Sequence, residues 1–217
     1  MEEKNDTYEK VPVNPSEICQ RAFELMQTKQ YDEAEKLLNS NLGKVDDDVA
    51  VGLFHSSLGV LYKIKGEPKT AWKHYQRAEK LIPEDPALKI IVARLLIDQF
   101  TEFDMAIKKV KKVLNSVKEN PVFAHQVYTT MGLAYLGKGQ KMKSTEMLEK
   151  SMEGDFSGFV SAQNIDFNLV EALLRAGMAV EECKSFLEKA RAFASVTKEE
   201  TWVELIDRML EVFSGEK

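Results

Sequence analysis

A chain of 217 residues, 44% of them hydrophobic and 30% charged, can build one elongated or one large domain around a continuous core. Its 35 acidic against 30 basic side chains leave a net charge of -5, which argues against a surface that holds a nucleic-acid backbone. Two cysteines, Cys19 and Cys183, make neither a disulfide framework nor a thiolate metal cluster, and they point to a reducing, cytoplasmic compartment.

Residues 1–13 are charged, lack the apolar core of a secretory signal, and read as an extended or disordered tail. Asn14-Pro15 then opens a helix, because Asn caps free N–H groups and proline is favoured at the first helical position; Glu17 completes a capping box. Ala22, Leu25, Tyr31, Ala34 and Leu38 mark a first pair of helices. A second pair begins near Gly52 and carries Leu58-Gly59, Tyr62, Gly66, Ala71, Tyr75, Ala78 and Pro83. Asp85-Pro86 starts a third, with Ala93, Ile97, Phe103, Ala106 and Val110. Asn120-Pro121 starts a fourth, with Met131-Gly132, Tyr135, Gly139, Ser144 and Leu148. Glu153–Asn164 reads as an irregular connection to a fifth, degenerate pair with Phe167, Val170, Leu174, Cys183, Leu187 and Ala190. Thr197 and Glu200 form an expected capping box for a last helix, whose stripe of Trp202, Leu205, Ile206, Met209, Leu210 and Phe213 would cover the end of the array or contact a second copy. The small residues Ala34, Ala71, Ala106, Ser144 and Cys183 recur at separations of 37, 35, 38 and 39. No span reaches the length of a membrane-crossing helix, and no alternating strand pattern appears.

The second pair, from Leu58-Gly59 to Pro83, resembles the tetratricopeptide family, with His55 where that family usually has tryptophan. The resemblance implies an all-α, right-handed solenoid of about five helical hairpins over residues 14–196, closed by a C-terminal capping helix over 197–217. Within that fold Gly59 permits close approach at a helix crossing, Gly66 serves a turn, Ala71 packs back on the first helix, and Pro83 stops the second.

The resemblance further implies that the first helices line a concave, ligand-binding face. Carried over by position, that face holds Cys19, Phe23 and Met26; Leu53, Ser56, Val60 and Lys63; Leu88, Ile91, Leu95 and Asp98; Gln126, Thr129, Leu133 and Leu136; and Ile165, Asn168, Ala172 and Arg175. Chaperone-binding members clamp a carboxylate with Lys, Asn and Arg, where this chain has Cys19, Phe23, Ser56, Val60, Leu88 and Val92. An apolar trough is expected instead, with Phe23, Met26, Leu53, Val60, Leu88, Ile91, Leu95, Leu133, Leu136 and Arg175 as the partner-binding residues.

Catalytic motifs are missing from the sequence: there is no HExxH, no phosphate loop, and no nucleophile elbow, and Gly137-Lys138-Gly139 is a hairpin turn. His55, His74 and His125 have no ligand spacing and are expected to pack. Lys108, Lys109, Lys111 and Lys112 are expected on a solvated outer face. The sequence therefore predicts a protein-binding adaptor or chaperone-like module that takes an amphipathic helix or apolar peptide, with no cofactor, metal, nucleic acid or membrane insertion. The alternative is a structural subunit whose apolar faces are covered by self-association or in a larger complex.

Overall fold

In the computed structural model, residues 14–117 and 119–213 are described, and among them eleven α-helices and no strand occur. The expected tail, residues 1–13, lies outside the described residues. The helices fall into two compact units, one ending at Pro83 and one beginning at Glu84. The first holds α1 (Pro15–Gln27), α2 (Tyr31–Leu42), α3 (Asp48–Ile64) and α4 (Pro68–Leu81). The second holds α5 (Pro86–Phe100), α6 (Phe103–Val117), α7 (Pro121–Gly137), α8 (Lys141–Ser151), α9 (Asn168–Arg175), α10 (Val180–Val196) and α11 (Glu200–Leu210).

Short polar side chains start four of these helices. Asn14 Oδ1 accepts from the N–H groups of Ser16 and Glu17, and Asn14 Nδ2 donates to Glu17 Oε1 at 2.7 Å. Asp85 accepts from Leu88 N at 2.7 Å and Asn120 from Phe123 N at 3.1 Å. Asp47 does the same for Ala50 N at 2.8 Å, so α3 begins a turn earlier than the Gly52 expected from the repeat pattern.

Successive helices pair into hairpins, α1 with α2, α3 with α4, α5 with α6, α7 with α8, and α9 with α10. The recurring small residues sit at the packed side of each second helix: Ala34, Ala71, Ala106, Ser144 and Cys183 are all fully buried. Where the residue carries a polar atom, the neighbouring helix accepts from it. Ser144 Oγ donates to the Gly132 carbonyl of α7 at 2.9 Å, and Cys183 Sγ lies 3.9 Å from the Val170 carbonyl of α9. Four residues further on, Leu38, Tyr75, Val110, Leu148 and Leu187 are buried too, so one stripe repeats five times. Gly59 faces the Tyr75 ring so closely that a Cβ there would lie 2.6 Å from Cδ1 and 2.8 Å from Cζ. Gly132 makes room instead for Leu169 of α9, one hairpin later.

The end of the chain corrects the expected Thr197–Glu200 capping box. Thr197 closes α10: its backbone N–H meets the Phe193 carbonyl, its hydroxyl lies 3.1 Å from that same oxygen, and α11 starts after Glu199 without a side-chain cap. The Glu199 carboxylate turns back to accept from Ser161 Oγ and Ala162 N at 2.7 and 2.8 Å, which pins the segment between α8 and α9. That segment is packed rather than a surface loop. Phe156 and Phe159 meet Phe193 edge-on, and Phe167 stacks on Trp202 of α11.

The turns inside the hairpins need one residue in the left-handed region. Gly66 and Gly139 supply it at φ 77° and 71°, but the α5–α6 turn uses Thr101 at φ 53°. A β-branched residue there crowds its own carbonyl, at a cost of about 1–2 kcal/mol. Thr101→Gly is therefore expected to raise the stability of the second unit by about 1 kcal/mol in equilibrium urea unfolding; a variant less stable than the parent would show that the hydroxyl's 2.7 Å bond to the Phe100 carbonyl dominates.

Candidate partner-binding surface

In the first unit α1 and α3 are neighbours, and their shared face is built on one packed stripe. Cys19, Ala22 and Met26 recur at helical spacing and form core with Phe54, Leu58 and Leu61. Met26, expected to meet a partner, is thus a core residue: it shares the stripe of Cys19 and Ala22, whereas Phe23 lies one step round the helix and is 39% exposed. Leu53 and Val60 of α3 are half-buried against the same core, and Ile64 one turn beyond Val60 is 49% exposed. Phe23 of α1 and Leu53, Val60 and Ile64 of α3 are thus apolar side chains within reach of solvent on two neighbouring helices.

In the second unit the expected trough is only partly present. Leu88 and Leu95 are buried and offer no surface. The reason is the composition of α5, PALKIIVARLLIDQF, whose buried residues Leu88, Ile90, Val92, Ala93, Leu95 and Leu96 run around more than one side. Its polar residues Lys89, Arg94, Asp98 and Gln99 are spread round the helix and mark no single outward side, so the family register could not distinguish its open face. Ile91, Leu133 and Leu136 remain half-buried, the two leucines packed against the core of this unit. Arg175 is exposed and pairs with Glu171 one turn away at 2.8 Å. Of the other positions carried over, Thr129 and Ile165 are buried, while Asn168 and Asp98 are exposed.

A polar cluster that the sequence reading missed lies among these helices. The Arg94 guanidinium of α5 donates from Nε to Thr130 Oγ1 at 2.8 Å and from Nη2 to Thr129 Oγ1 at 3.1 Å, and it forms a short ion pair with Asp166. Asp166 also accepts from Thr129 Oγ1 at 3.0 Å and from Asn168 N and Nδ2 at 3.0 and 2.6 Å, so it caps α9 while neutralising Arg94. Their side chains are only 13% and 15% exposed. Burial works against the Asp166 carboxylate, yet Arg94, Asn168 and Thr129 together hold it below the usual range. His125 joins from α7: its Nε2 accepts from Asp166 N–H at 2.8 Å, so its Nδ1 carries the proton and donates to the Ser151 carbonyl at 2.7 Å. Both ring nitrogens are therefore occupied by backbone, and the cluster ties α5, α7, α8 and the α9 cap together. The sequence clue was an arginine in the middle of the apolar run from Ile90 to Ile97.

No family model and no curated protein matches the chain. Solved structures do. PilW, a widely conserved type IV pilus biogenesis factor, is similar with TM-score 0.61 and 13% identity over 94% of this chain and 97% of its own. PilF of Pseudomonas aeruginosa gives TM-score 0.62 and 15% identity over 93% of each chain. The TPR-like repeats of a putative kinesin light chain from Podosopora anserina give 0.60 and 18% over 85% of this chain and 99% of theirs. The fold is that of the tetratricopeptide-like helical solenoids.

In tetratricopeptide-like terms, α1 and α3 are the first helices of the first two hairpins. Burial pushes the Cys19 thiol up against an opposing Ser57 hydrogen bond, and burial with Glu182 pushes Cys183 up to about 12, so both thiols stay protonated and weakly nucleophilic. Of the four lysines expected on the outer face, Lys108, Lys111 and Lys112 of α6 are exposed and Lys109 is half-buried.

The histidines set a pH limit. Burial lowers His55, His74 and His125 below their ordinary 6.5, so the unfolded chain takes up protons first on acidification. The stabilisation is complete above pH 6.5 and is lost as pH falls through the depressed folded values. Thermal midpoints are expected to fall between pH 7 and pH 5, and His125 is expected to titrate below 6.5 in the folded protein by proton NMR. A flat profile, or titration of His125 at 6.5 or above, would contradict the assignment of its two ring bonds.

Proposed function

We propose that the chain is a non-catalytic adaptor or chaperone-like module that binds a partner protein, docking an amphipathic helix or apolar peptide on the α1–α3 face. The observation that carries this reading is the accessible apolar set Phe23, Leu53, Val60 and Ile64 on adjacent first helices. A helix laid on such a face anchors through side chains at i, i+3 and i+4, and each anchor gains about 25 cal/mol per Å² of apolar area removed from water. Lost rigid-body freedom offsets much of that gain, so a few anchors determine affinity. Ile91, Leu133 and Leu136 are proposed as a smaller contact set of the second unit, and Arg175 as a polar one. With Cys19, Phe23, Ser56 and Val60 at the places of a carboxylate clamp, the ligand is recognised by apolar contact and not by its C-terminus. Two free, buried thiols suit a reducing, cytoplasmic setting. No helix among the described residues is long and apolar enough to cross a membrane.

Self-association is the second reading, favoured by Val196 and Leu205, which stand 80% and 43% exposed at the C-terminal end. Sedimentation at rising concentration separates it from the first.

The test of the proposed function is Phe23→Glu combined with Val60→Glu. In the free protein both carboxylates reach water; in a complex they would be buried without partners. Partner capture from native lysate, scored against the parent by mass spectrometry, is expected to fall at least about tenfold for the docked protein, with the helical circular dichroism signal unchanged. Full retention of every captured protein would place the docking surface elsewhere.

A further inference from the structure

The outer side of α4 carries charge of one sign. On its inner side Ala71, Tyr75 and Ala78 are fully buried where the helix packs on α3. At about 100° per residue, Lys69, Lys73, Gln76, Arg77 and Lys80 fall on the opposite side, and all five are exposed. We propose that this basic row docks an acidic helix of a partner protein, one whose carboxylates recur at every third or fourth residue. The row belongs to a helix that the α1–α3 apolar face does not include, and it does not depend on that face.

Alpha-4 differs from its neighbours in how its outer charges are balanced. Four other helices pair theirs at one-turn spacing: Arg21 with Glu24 in α1, Lys150 with Glu146 in α8, Arg175 with Glu171 in α9, and Lys184 with Glu188 in α10. In α4 no carboxylate stands three or four residues from Lys69, Lys73 or Arg77. Glu79 is half-buried and lies off the row. Like charges at this spacing repel, so Lys69 against Lys73, Lys73 against Arg77 and Arg77 against Lys80 all oppose the helix. Lys69 is also a cation near the helix N-terminus, where the dipole disfavours one, and the first turn holds no acid. The row therefore destabilises the free helix, and carboxylates laid along it remove the repulsion.

Spacing selects the form of the partner. At about 1.5 Å rise per residue, the four basic groups follow one another at about 6, 6 and 4.5 Å along the axis. A second helix presents its i, i+4, i+8 and i+11 side chains at those same intervals. An extended peptide shows a side chain to one side every ~6.6 Å, and it falls out of register by ~3 Å over the row. Arg77 adds a planar fork that can hold one carboxylate by two parallel bonds. Other anionic surfaces fit less well. Among the described residues α4 exposes no large apolar side chain that could enter a lipid layer, and the net charge of -5 opposes a nucleic-acid backbone.

The experiment titrates the full chain into two labelled, alanine-rich helical peptides of equal composition at low salt, read by fluorescence anisotropy. One carries Glu at i, i+4, i+8 and i+11; the other carries the same glutamates scattered round the helix. The first is expected to bind more tightly, and added salt to weaken it. Lys69→Gln with Lys73→Gln and Arg77→Gln is expected to weaken that binding at least about tenfold, the sum of three exposed pairs. Helicity should be unchanged and the thermal midpoint no lower than the parent's, since repulsion has been removed. Lys108→Gln with Lys111→Gln and Lys112→Gln removes the same charge from α6 and is expected to change the affinity by less than about twofold.

No binding of the patterned peptide at low salt, equal affinity for both peptides, or equal losses from the two triple variants overturns the proposal. Tighter binding of anionic vesicles or single-stranded RNA than of the patterned peptide, lost in the α4 variant, overturns it in favour of another class of partner. If the α4 variant loses helicity, Lys73→Glu is read in its place, because that acid pairs with Lys69 and Arg77 at one-turn spacing and supports the helix. Loss of the patterned peptide then supports the site, and unchanged affinity overturns it.

Discussion

Everything else in the fold depends on how closely two helices approach at one small side chain. In the α3–α4 hairpin Ala71 is fully buried on the second helix, and Gly59 on the first leaves the space that the Tyr75 ring fills. The approach fixes the angle of the hairpin, which fixes which residues of α3 turn inward and which are left for solvent. Phe54, Leu58 and Leu61 go in; Val60 and Ile64 stay accessible. The same stripe, with Ala34, Ala106, Ser144 or Cys183 at its small position, sets the other hairpins. Shape alone governs the contact. The Tyr75 hydroxyl is buried with no hydrogen-bond partner among the described residues, and burial drives its ionisation far above the ordinary range.

Polar groups do a different job. Where the repeat degenerates, between α8 and α9, backbone regularity ends and side chains must satisfy what helices would have satisfied. Glu199 accepts from Ser161 and Ala162, His125 bridges Ser151 and Asp166, and Asp166 caps α9 while pairing with Arg94. Removing one member of a buried ion pair strands the other, which makes these groups conspicuous in structure and costly to change singly. They stabilise a particular path of the chain, around which Phe156, Phe159, Phe186 and Phe193 close. The apolar stripe supplies general cohesion; the polar cluster selects one route through the irregular part.

Local signals in the sequence carried most of the architecture. Asn14-Pro15, Asp85-Pro86 and Asn120-Pro121 each mark a helix start through a capping bond between neighbours, and the spacing of Ala34, Ala71, Ala106, Ser144 and Cys183 marks the hairpins. Readings that depend on which side of a helix is enclosed were less secure. Phe23 and Met26 are both apolar and three residues apart, yet one is exposed and the other core, because the stripe runs through Cys19 and Ala22. Leu88 and Leu95 lie on a helix with no polar side to mark its orientation. Contacts between distant residues left no local trace: Arg94 and Asp166 are 72 positions apart. The segment 153–164 looked like a connection because Gly154 and Gly158 interrupt it, and its two phenylalanines showed their role only once folded.

The measurement that bears most directly on this account is a double-mutant cycle at the crossing, Gly59→Ala with Tyr75→Leu, followed by chemical unfolding of all four proteins. Alanine would by itself favour the helix by about 1 kcal/mol over glycine, so a single variant confounds propensity with fit. The cycle removes that term. If close approach sets the hairpin, the alanine methyl group clashes with the Tyr75 ring but is accommodated beside leucine, and the double variant is expected to be more stable than the sum of the singles by at least about 1 kcal/mol. Additivity within about 0.3 kcal/mol would show that the two side chains do not constrain each other, and would contradict the claim that this contact sets the hairpin.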